Sequence, residues 1–352
     1  MKKCPLTVDD RAPRLLIVKL SSLGDVVHAL PVASALRRRY PGAFLGWCVG
    51  RAAAPLVAHH PLLDVVFVLG RGTVAPGERV VVAEGYRELG RALRQYHFEV
   101  SLDLQGLLRS AYLAYLGGAP CRVGYRNWQE GAFLFNRIRA VPPARDRHAV
   151  QGYLDFARYL DAPAEPVEFV LPTDPQAAGT AERLLSEFSA PGRAALLLPG
   201  ARWESKHWPP DRFGRVAAWM AGQGLAPLVA GSAQDQALAE RVVSASGGKA
   251  ASIAGRTSVA DLAALVARSR LVVGHDSGPV HLAAALGVPL VSIFGPTNPA
   301  LTGPYGRRVE IVRAAVACSP CRRRRCRSLV CQERVSVEMV TAAASRLLQG
   351  QP

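Results

Sequence analysis

The chain lacks any apolar run near the ~20 residues that a membrane-spanning helix needs, although 49% of its 352 residues are hydrophobic. It also lacks an apolar segment after its first basic residues, Lys2 and Lys3, so its start does not resemble a secretory signal. Together with the globular composition, these absences predict a folded cytoplasmic protein.

Acidic residues are scarce, since 27 Asp and Glu stand against 43 Lys and Arg, and the formal net charge is +16. Such an excess attracts phosphates, nucleic acids or an anionic membrane surface. We expect no nucleic-acid partner, because the arginines are not interleaved with aromatic residues and no known binding module is present. A basic nucleic-acid-binding protein stays the alternative from another class, and salt-sensitive DNA binding would favour it.

Short apolar segments alternate with amphipathic ones, which is typical of parallel sheets covered by helices. Strands are predicted at 14–20, 44–49, 65–69 and 99–103, and again at 194–198, 225–231, 271–274 and 290–294. Four prolines between residues 162 and 175 predict an extended linker. The sequence therefore predicts an α/β protein with two doubly wound, Rossmann-like domains, 1–170 and 171–352, facing a cleft.

The first polar motif is Ser-Ser-Leu-Gly-Asp at 21–25, where the first predicted strand runs into a helix. Asp25 follows the carboxyl end of that strand, which is where α/β proteins bind ligands. A carboxylate there can act as a general base that takes a proton from a hydroxyl. The alternative is a charge that only stabilises the first turn of the helix.

A second strand-to-helix turn, His-Asp-Ser-Gly-Pro-Val-His at 275–281, has the features of a phosphate site. Ser277 can cap the helix, Gly278 lets a ligand approach the backbone, and the unpaired N–H groups of a helix start favour an anion. Asp276 would repel a phosphate unless it faces neutral sugar hydroxyls, so the motif suggests a nucleotide sugar. The alternative is an ordinary turn with His281 facing the core.

Other strand-end residues fit the same ligand. Gly200 follows a strand and leaves room for a ligand, while Lys206 can supply a charge for a diphosphate leaving group. Asp235 follows another strand, where an acid often binds ribose hydroxyls. The alternatives are that Lys206 is a solvated surface lysine and that Asp235 only caps a helix.

Cysteine and arginine are concentrated near the end of the chain. Cys318, Cys321, Cys326 and Cys331 enclose four consecutive arginines, residues 322–325. The four thiolates can surround a structural zinc ion, pair as disulfides, or remain plain thiols in a basic loop. Neighbouring arginines would lower the pKa of these thiols and attract acceptor phosphates.

Three arginines of the first half are candidates for an anionic acceptor, since guanidinium groups pair well with carboxylates and phosphates. They are Arg109, Arg122 and Arg126. The alternative for each of them is a solvated basic surface.

Four motifs, Ser-Ser-Leu-Gly-Asp-Val, Lys-His-Trp-Pro, His-Asp-Ser-Gly-Pro-Val-His-Leu and Phe-Gly-Pro-Thr-Asn-Pro, occur in this order across nearly the whole chain. Together they resemble family 9 glycosyltransferases, the bacterial lipopolysaccharide heptosyltransferases. The resemblance implies a GT-B fold, an acceptor-binding first domain, a nucleotide-sugar-binding second domain and no catalytic metal. The cysteine-rich tail resembles the heptosyltransferase II branch.

The implied reaction transfers heptose from ADP-heptose to the Kdo or first heptose of a lipid A-bearing inner core, with inversion in one displacement. It would take place in the cytoplasm, at the inner face of the inner membrane. A relative with another nucleotide sugar or glycan acceptor is the alternative. This alternative stays open because Ala201 and Arg202 stand where some heptosyltransferases have paired threonines.

The resemblance also implies roles for single residues. Asp25 would be the general base. The donor-binding residues would be Gly200, Ala201, Arg202, Lys206, Asp235, Thr257, Asp276, Ser277, Gly278 and His281. Among them Lys206 would bind the phosphates, Asp276 the heptose, Asp235 the ribose, and the backbone at Thr257 the adenine.

Overall fold

The computed structural model describes residues 12–71, 79–126, 129–144 and 146–350. The chain divides into two compact units, Met1–Thr173 and Asp174–Pro352, here called unit 1 and unit 2. The linker predicted from the prolines is irregular up to Asp174, but Pro175 begins a helix that Asp174 caps. Proline is well suited to the first turn of a helix, where its missing N–H has no partner to lose.

Unit 1 contains a seven-stranded parallel sheet in the order β4-β3-β2-β1-β5-β6-β7. Its strands are β1 Arg14–Val18, β2 Phe44–Gly50, β3 Val65–Leu69, β4 Val80–Ala83, β5 Val100–Asp103, β6 Cys121–Tyr125 and β7 Ile138–Val141. The helices are α1 Leu23–Arg39, α2 Tyr86–Arg94, α3 Leu108–Leu116 and α4 Ala149–Tyr159. After Arg14, β1 is apolar and buried, as expected of a strand with both faces covered.

Unit 2 contains a six-stranded parallel sheet in the order β10-β9-β8-β11-β12-β13. Its strands are β8 Ala194–Leu198, β9 Ala226–Val229, β10 Ala251–Ser252, β11 Leu271–His275, β12 Leu290–Phe294 and β13 Val309–Arg313. The helices are α5 Pro175–Glu187, α6 Pro210–Gly222, α7 Gln236–Ala245, α8 Val259–Ala267, α9 Gly278–Ala285, α10 Pro299–Thr302, α11 Val330–Glu333 and α12 Val337–Gln349. Apolar clusters cover both faces of this sheet.

Strand order reverses once in each sheet, between β1 and β5 in unit 1 and between β8 and β11 in unit 2. Ligands of such folds bind beyond the carboxyl ends of the strands at these reversals, because the crossovers there leave on opposite faces and open a crevice. Asp25 follows β1, whereas Gly200 and Asp276 follow β8 and β11. The topology therefore puts the predicted site residues at the reversal point of their own sheet.

None of the helices in the described parts of the chain is long and apolar enough to cross a membrane.

Candidate active-site residues

Asp25 lies in the first turn of α1 with both carboxylate oxygens bound. Its Oδ2 accepts hydrogen bonds from the amide of Ser22, at 3.0 Å, and from the hydroxyl of Ser22, at 2.6 Å. Its Oδ1 accepts one from the phenol of Tyr153 in α4, at 3.1 Å. Oδ2 therefore caps the helix, as expected if Asp25 stabilises the first turn of α1. Tyr153, from a part of unit 1 that is distant in sequence, orients the carboxylate through Oδ1.

A buried lysine sets the charge around Asp25. Lys19 directly follows β1, is 3% exposed, and has its Nζ 4.8 Å from the centre of the Tyr153 ring. Burial alone would raise the pKa of Asp25, but the charge of Lys19 and the hydrogen bonds from Ser22 lower it to about 2. Asp25 is therefore ionised at neutral pH, which is the form that can accept a proton.

A second buried carboxylate, Asp103 at the end of β5, lies opposite Val18 in the sheet. Its Oδ1 accepts from the amide of Gly106 at 3.0 Å, and its Oδ2 from the side chain of Asn136 at 2.9 Å. Burial raises the pKa of Asp103, although these hydrogen bonds oppose the rise. The sequence assigns no role to Lys19, Asp103 or Tyr153. Lys19 and Asp103 could have been found from their positions at strand ends, whereas no sequence signal marks Tyr153.

The three predicted acceptor arginines lie in different environments. Arg109 is exposed and donates to the hydroxyl of Ser21, at 3.2 Å, in the loop that leads to Asp25. Arg126 is exposed, with its Nε on the carbonyl oxygen of Ala140 at 3.0 Å.

Arg122 does not fit the predicted role. It is 7% exposed, and its guanidinium donates to the carbonyl oxygens of Phe135, at 2.8 Å, and Ala119, at 2.7 Å. Burial lowers the pKa of Arg122. These contacts make it a support of the local backbone, so we do not retain Arg122 as an acceptor residue.

In unit 2, a buried ion pair joins the two charged residues of the predicted donor site. The Nζ of Lys206 lies 2.7 Å from Oδ2 of Asp276 and donates to its carbonyl oxygen at 3.0 Å. Thr297, in the Phe-Gly-Pro-Thr-Asn-Pro loop, donates to the same Oδ2 at 2.6 Å, and Nε2 of His281 lies 3.6 Å from Oδ1.

The pKa of Asp276 lies well below its usual range, because the His281 contact and the Lys206 charge outweigh the effect of burial. Its carboxylate therefore stays ionised and holds Lys206. A contact between Asp276 and a sugar stays a prediction, since in this structure protein groups already surround its oxygens.

The turn after Asp276 has one buried hydroxyl that lacks a protein partner. Ser277 is the N-cap residue of α9, but its side chain makes no capping hydrogen bond. Its Oγ is buried without a hydrogen-bond partner among the described residues. Since a buried hydroxyl without a partner costs free energy, this group points to a ligand at the start of α9, next to Gly278.

Asp235 lies against the ends of β8 and β9. A methyl group on Gly200 would lie 2.9 Å from Oδ1 of Asp235, so the glycine is required by this side chain. The other oxygen of Asp235 accepts from the amide and hydroxyl of Ser232, at 2.8 and 2.7 Å, as a helix cap would. Gly200 and Asp235 are thus brought together, as a ribose site at this point would need.

The other predicted donor residues differ in surroundings. The amide of Ala201 lies 3.2 Å from Nε2 of His207, whereas Arg202 is exposed. Thr257 is half-buried and directly precedes Ser258, the N-cap of α8.

The segment 318–331, here called the Cys/Arg segment, holds the turn that carries Lys206. Ser205 is 1% exposed; its amide donates to the carbonyl oxygen of Arg324 at 3.2 Å and its hydroxyl to that of Arg323 at 2.6 Å. Directly after this segment, the side-chain amide of Gln332, which is also 1% exposed, donates to the carbonyl oxygens of Ser205, at 3.3 Å, and Lys206, at 3.1 Å. Sequence inspection missed both residues, because neither type signals a ligand.

The four thiols of this segment are free and differ in environment. Cys318 and Cys321 are exposed, whereas burial raises the pKa of Cys331. Hydrogen bonds from the backbone of Leu329 and Ser328 lower the pKa of Cys326.

Within the described residues no group of three or more His, Cys, Asp or Glu is placed to hold a metal ion. The zinc site predicted at Cys318, Cys321, Cys326 and Cys331 is therefore not supported. The structure instead gives the segment a supporting role beside Lys206.

The chain is similar to known proteins over most of its length. The family model for glycosyltransferase family 9 (heptosyltransferase) matches residues 86–331. The lipopolysaccharide heptosyltransferase 1 of Pseudomonas aeruginosa is 34% identical over 319 residues, which cover 89% of this chain and 87% of that protein.

Two solved structures are similar in fold. A family 9 glycosyl transferase from Veillonella parvula superimposes with a TM-score of 0.83 at 22% identity, over 96% of this chain and 98% of the other. The ADP-heptose lps heptosyltransferase II of Escherichia coli does so with a TM-score of 0.76 at 23% identity, over the same shares. The chain therefore belongs to glycosyltransferase family 9, the family of the heptosyltransferases.

Proposed function

We propose that this protein is an inverting glycosyltransferase that moves heptose from ADP-heptose to the inner core of a lipopolysaccharide precursor. The observation that carries the proposal is the ionised carboxylate of Asp25, held by Ser22 and Tyr153 beside the buried Lys19. Family membership and the 34% identity to a lipopolysaccharide heptosyltransferase support the class of donor and acceptor.

Asp25 is the general base in this proposal. The acceptor oxygen bonds to the anomeric carbon, the bond from that carbon to the diphosphate oxygen breaks, and ADP leaves with the electron pair. The hydroxyl proton passes to Asp25. Because the pKa of Asp25 is about 2, transfer becomes favourable only late, when bond formation has made the hydroxyl strongly acidic. One displacement inverts the anomeric carbon.

The donor diphosphate binds at the start of α9. The Oγ of Ser277 has no hydrogen-bond partner there within the described parts of the chain, and the helix terminus favours an anion. Lys206 stabilises the negative charge that develops on the leaving diphosphate. Asp276 keeps that ammonium group in place, and Thr297 and His281 hold the carboxylate of Asp276. No metal ion takes part in this step.

Asp235, beside Gly200, binds the ribose through the oxygen that does not cap the helix. The backbone at Thr257 contacts the adenine, and Ala201 and Arg202 border the donor. Another nucleotide sugar remains the alternative donor, since these two residues replace the paired threonines of some heptosyltransferases.

On the acceptor side, Arg109 and Arg126 bind the carboxylates or phosphates of the inner core. The acceptor carries lipid A, and the protein works at the anionic inner face of the cytoplasmic membrane. Its net charge of +16 supports this location.

The assay for the proposal measures ADP release from ADP-heptose with a Kdo-terminated acceptor and with a heptose-terminated acceptor. We expect release that depends on one of them, and the preferred acceptor identifies the step. Parallel assays with other ADP-sugars and UDP-sugars test the donor. A folded protein that releases ADP with neither acceptor contradicts the proposal.

Replacing Gln332, which directly follows the Cys/Arg segment, with methionine tests whether its hydrogen bonds to Ser205 and Lys206 support ADP binding through Lys206. The change removes both donated hydrogen bonds, and each buried carbonyl left unpaired costs about 1–3 kcal/mol. We expect affinity for ADP, measured by calorimetry, to fall about tenfold, but less than twofold in a Lys206→Ala background.

The matched control is Arg212→Met, which removes the hydrogen bonds of Arg212 to the carbonyl oxygens of Glu333 and Val335 without touching the Lys206 turn. It should lower the melting temperature and leave ADP affinity unchanged. An equal loss of affinity on replacing Gln332 in both backgrounds would show that Gln332 does not act through Lys206.

A further inference from the structure

Three apolar side chains of unit 1 remain exposed on one face. They are Leu108 and Tyr115 of α3, 40% and 47% exposed, and Leu134, 68% exposed, in the turn Gln129–Leu134. A methyl group on Gly131 would lie 3.7 Å from Cδ1 of Leu134 and 3.8 Å from Cδ1 of Leu108, so these two lie side by side. We call these three residues the apolar face.

An aromatic contact places Tyr115 near the other two residues of the apolar face. The ring of Tyr115 lies 5.3 Å from that of Phe135, the residue after Leu134. The other large hydrophobic side chains exposed in the described residues, Val82 and Met339, lie on other elements. Single exposed hydrophobic residues are ordinary, but a group of them marks an interaction surface.

Basic residues border the apolar face. Arg109 follows Leu108 and is exposed, and Arg137, three residues after Leu134, is exposed as well. The charge of Arg137 acts on Arg122, whose guanidinium lies 5.5 Å from the Tyr115 ring. Arg139, two residues after Arg137, is also exposed, whereas the turn Gln129–Leu134 contains one acidic residue, Glu130. The surroundings are therefore net positive, which favours an anionic partner.

The apolar face is continuous with the Asp25 loop. Arg109, next to Leu108, donates from Nη2 to the hydroxyl of Ser21, four residues before Asp25. A partner that covers the apolar face therefore comes close to the base of the proposed reaction.

We propose that Leu108, Tyr115 and Leu134 insert into the surface of an anionic lipid bilayer, where an acceptor anchored by lipid A would be found. This inference rests on the proposed function. Leucine enters the boundary between headgroups and acyl chains, and tyrosine suits it because its ring is apolar and its hydroxyl polar. The arginines around them attract the anionic headgroups. The positive border favours lipid over an apolar protein partner.

The experiment is sedimentation of the full chain with anionic vesicles of phosphatidylethanolamine and phosphatidylglycerol, and with phosphatidylcholine vesicles. We expect the wild type to bind the anionic vesicles. The triple variant Leu108→Ser, Tyr115→Ser, Leu134→Ser should bind them at least about tenfold less. The matched control Val82→Ser, Met339→Ser removes exposed apolar side chains elsewhere and should bind as the wild type does.

A second measurement separates this inference from the proposed function. The triple variant should turn over a deacylated, water-soluble acceptor at the wild-type rate and lose turnover on an acceptor embedded in vesicles. If the wild type uses no acceptor, the proposed function fails, while the vesicle comparison still decides the surface. A wild type that ignores anionic vesicles, a triple variant that binds them normally, or a control that loses as much binding overturns the inference.

Discussion

Asp25→Asn is expected to lower turnover about 1000-fold, within the range for loss of a general base, while ADP affinity stays within about twofold. The amide cannot accept the hydroxyl proton, and Asp25 belongs to unit 1, whereas the proposed nucleotide-binding residues belong to unit 2. Tyr153→Phe should lower turnover less, since Ser22 still holds the other oxygen.

Single-turnover ADP release and calorimetry measure the two quantities. The matched control is Asp103→Asn, which changes the other buried carboxylate near Lys19 in the same way. If that variant loses more turnover than Asp25→Asn, Asp103 is the base and the assignment is wrong.

The pH dependence of kcat/KM gives an independent check on Asp25. Its lowered pKa, about 2, means that the carboxylate is ionised at every pH well above that value. Activity should therefore not decline between about pH 7 and pH 4 through protonation of this group. Tyr153→Phe removes a donor to the ionised form, so any acid decline should move to higher pH. An acid decline centred near pH 6 that disappears in Asp25→Asn would contradict the assigned ionisation state.

Lys206→Ala should have the second large effect, on catalysis and stability together. Loss of the ammonium removes the group that stabilises the leaving diphosphate, and we expect turnover to fall about 100- to 1000-fold. The variant also leaves Asp276 charged and buried, with Thr297 and His281 as the remaining side-chain partners of its carboxylate among the described residues. Breaking such a pair costs about 3 kcal/mol of unfolding free energy.

The double variant Lys206→Met, Asp276→Asn separates the two effects. It removes both charges, so the free energy of unfolding should recover most of the loss, whereas turnover should stay low. Denaturant unfolding and steady-state kinetics measure these quantities. If the double variant regains turnover, the lysine serves only to neutralise Asp276 and does not act on the diphosphate.

The accuracy of the sequence predictions differs between central and edge strands. The central strands β1, β8, β11 and β12 are mostly apolar because both of their faces are covered, and they lie where the sequence indicates them. The edge strands β4, β7, β10 and β13 were not predicted. They are two to five residues long and partly exposed, so their composition does not differ from that of loops.

The sequence alone determined the two parallel sheets and the placement of polar motifs at strand ends, because hydrophobic periodicity and turn-forming residues act over a few neighbouring positions. Only the tertiary structure decided which groups meet there. Tyr153 reaches Asp25 across 128 positions, and Gln332 reaches Lys206 across 126. Packing likewise places the guanidinium of Arg122 on two backbone carbonyl oxygens. Such contacts depend on how whole helices and loops pack, so no local pattern encodes them.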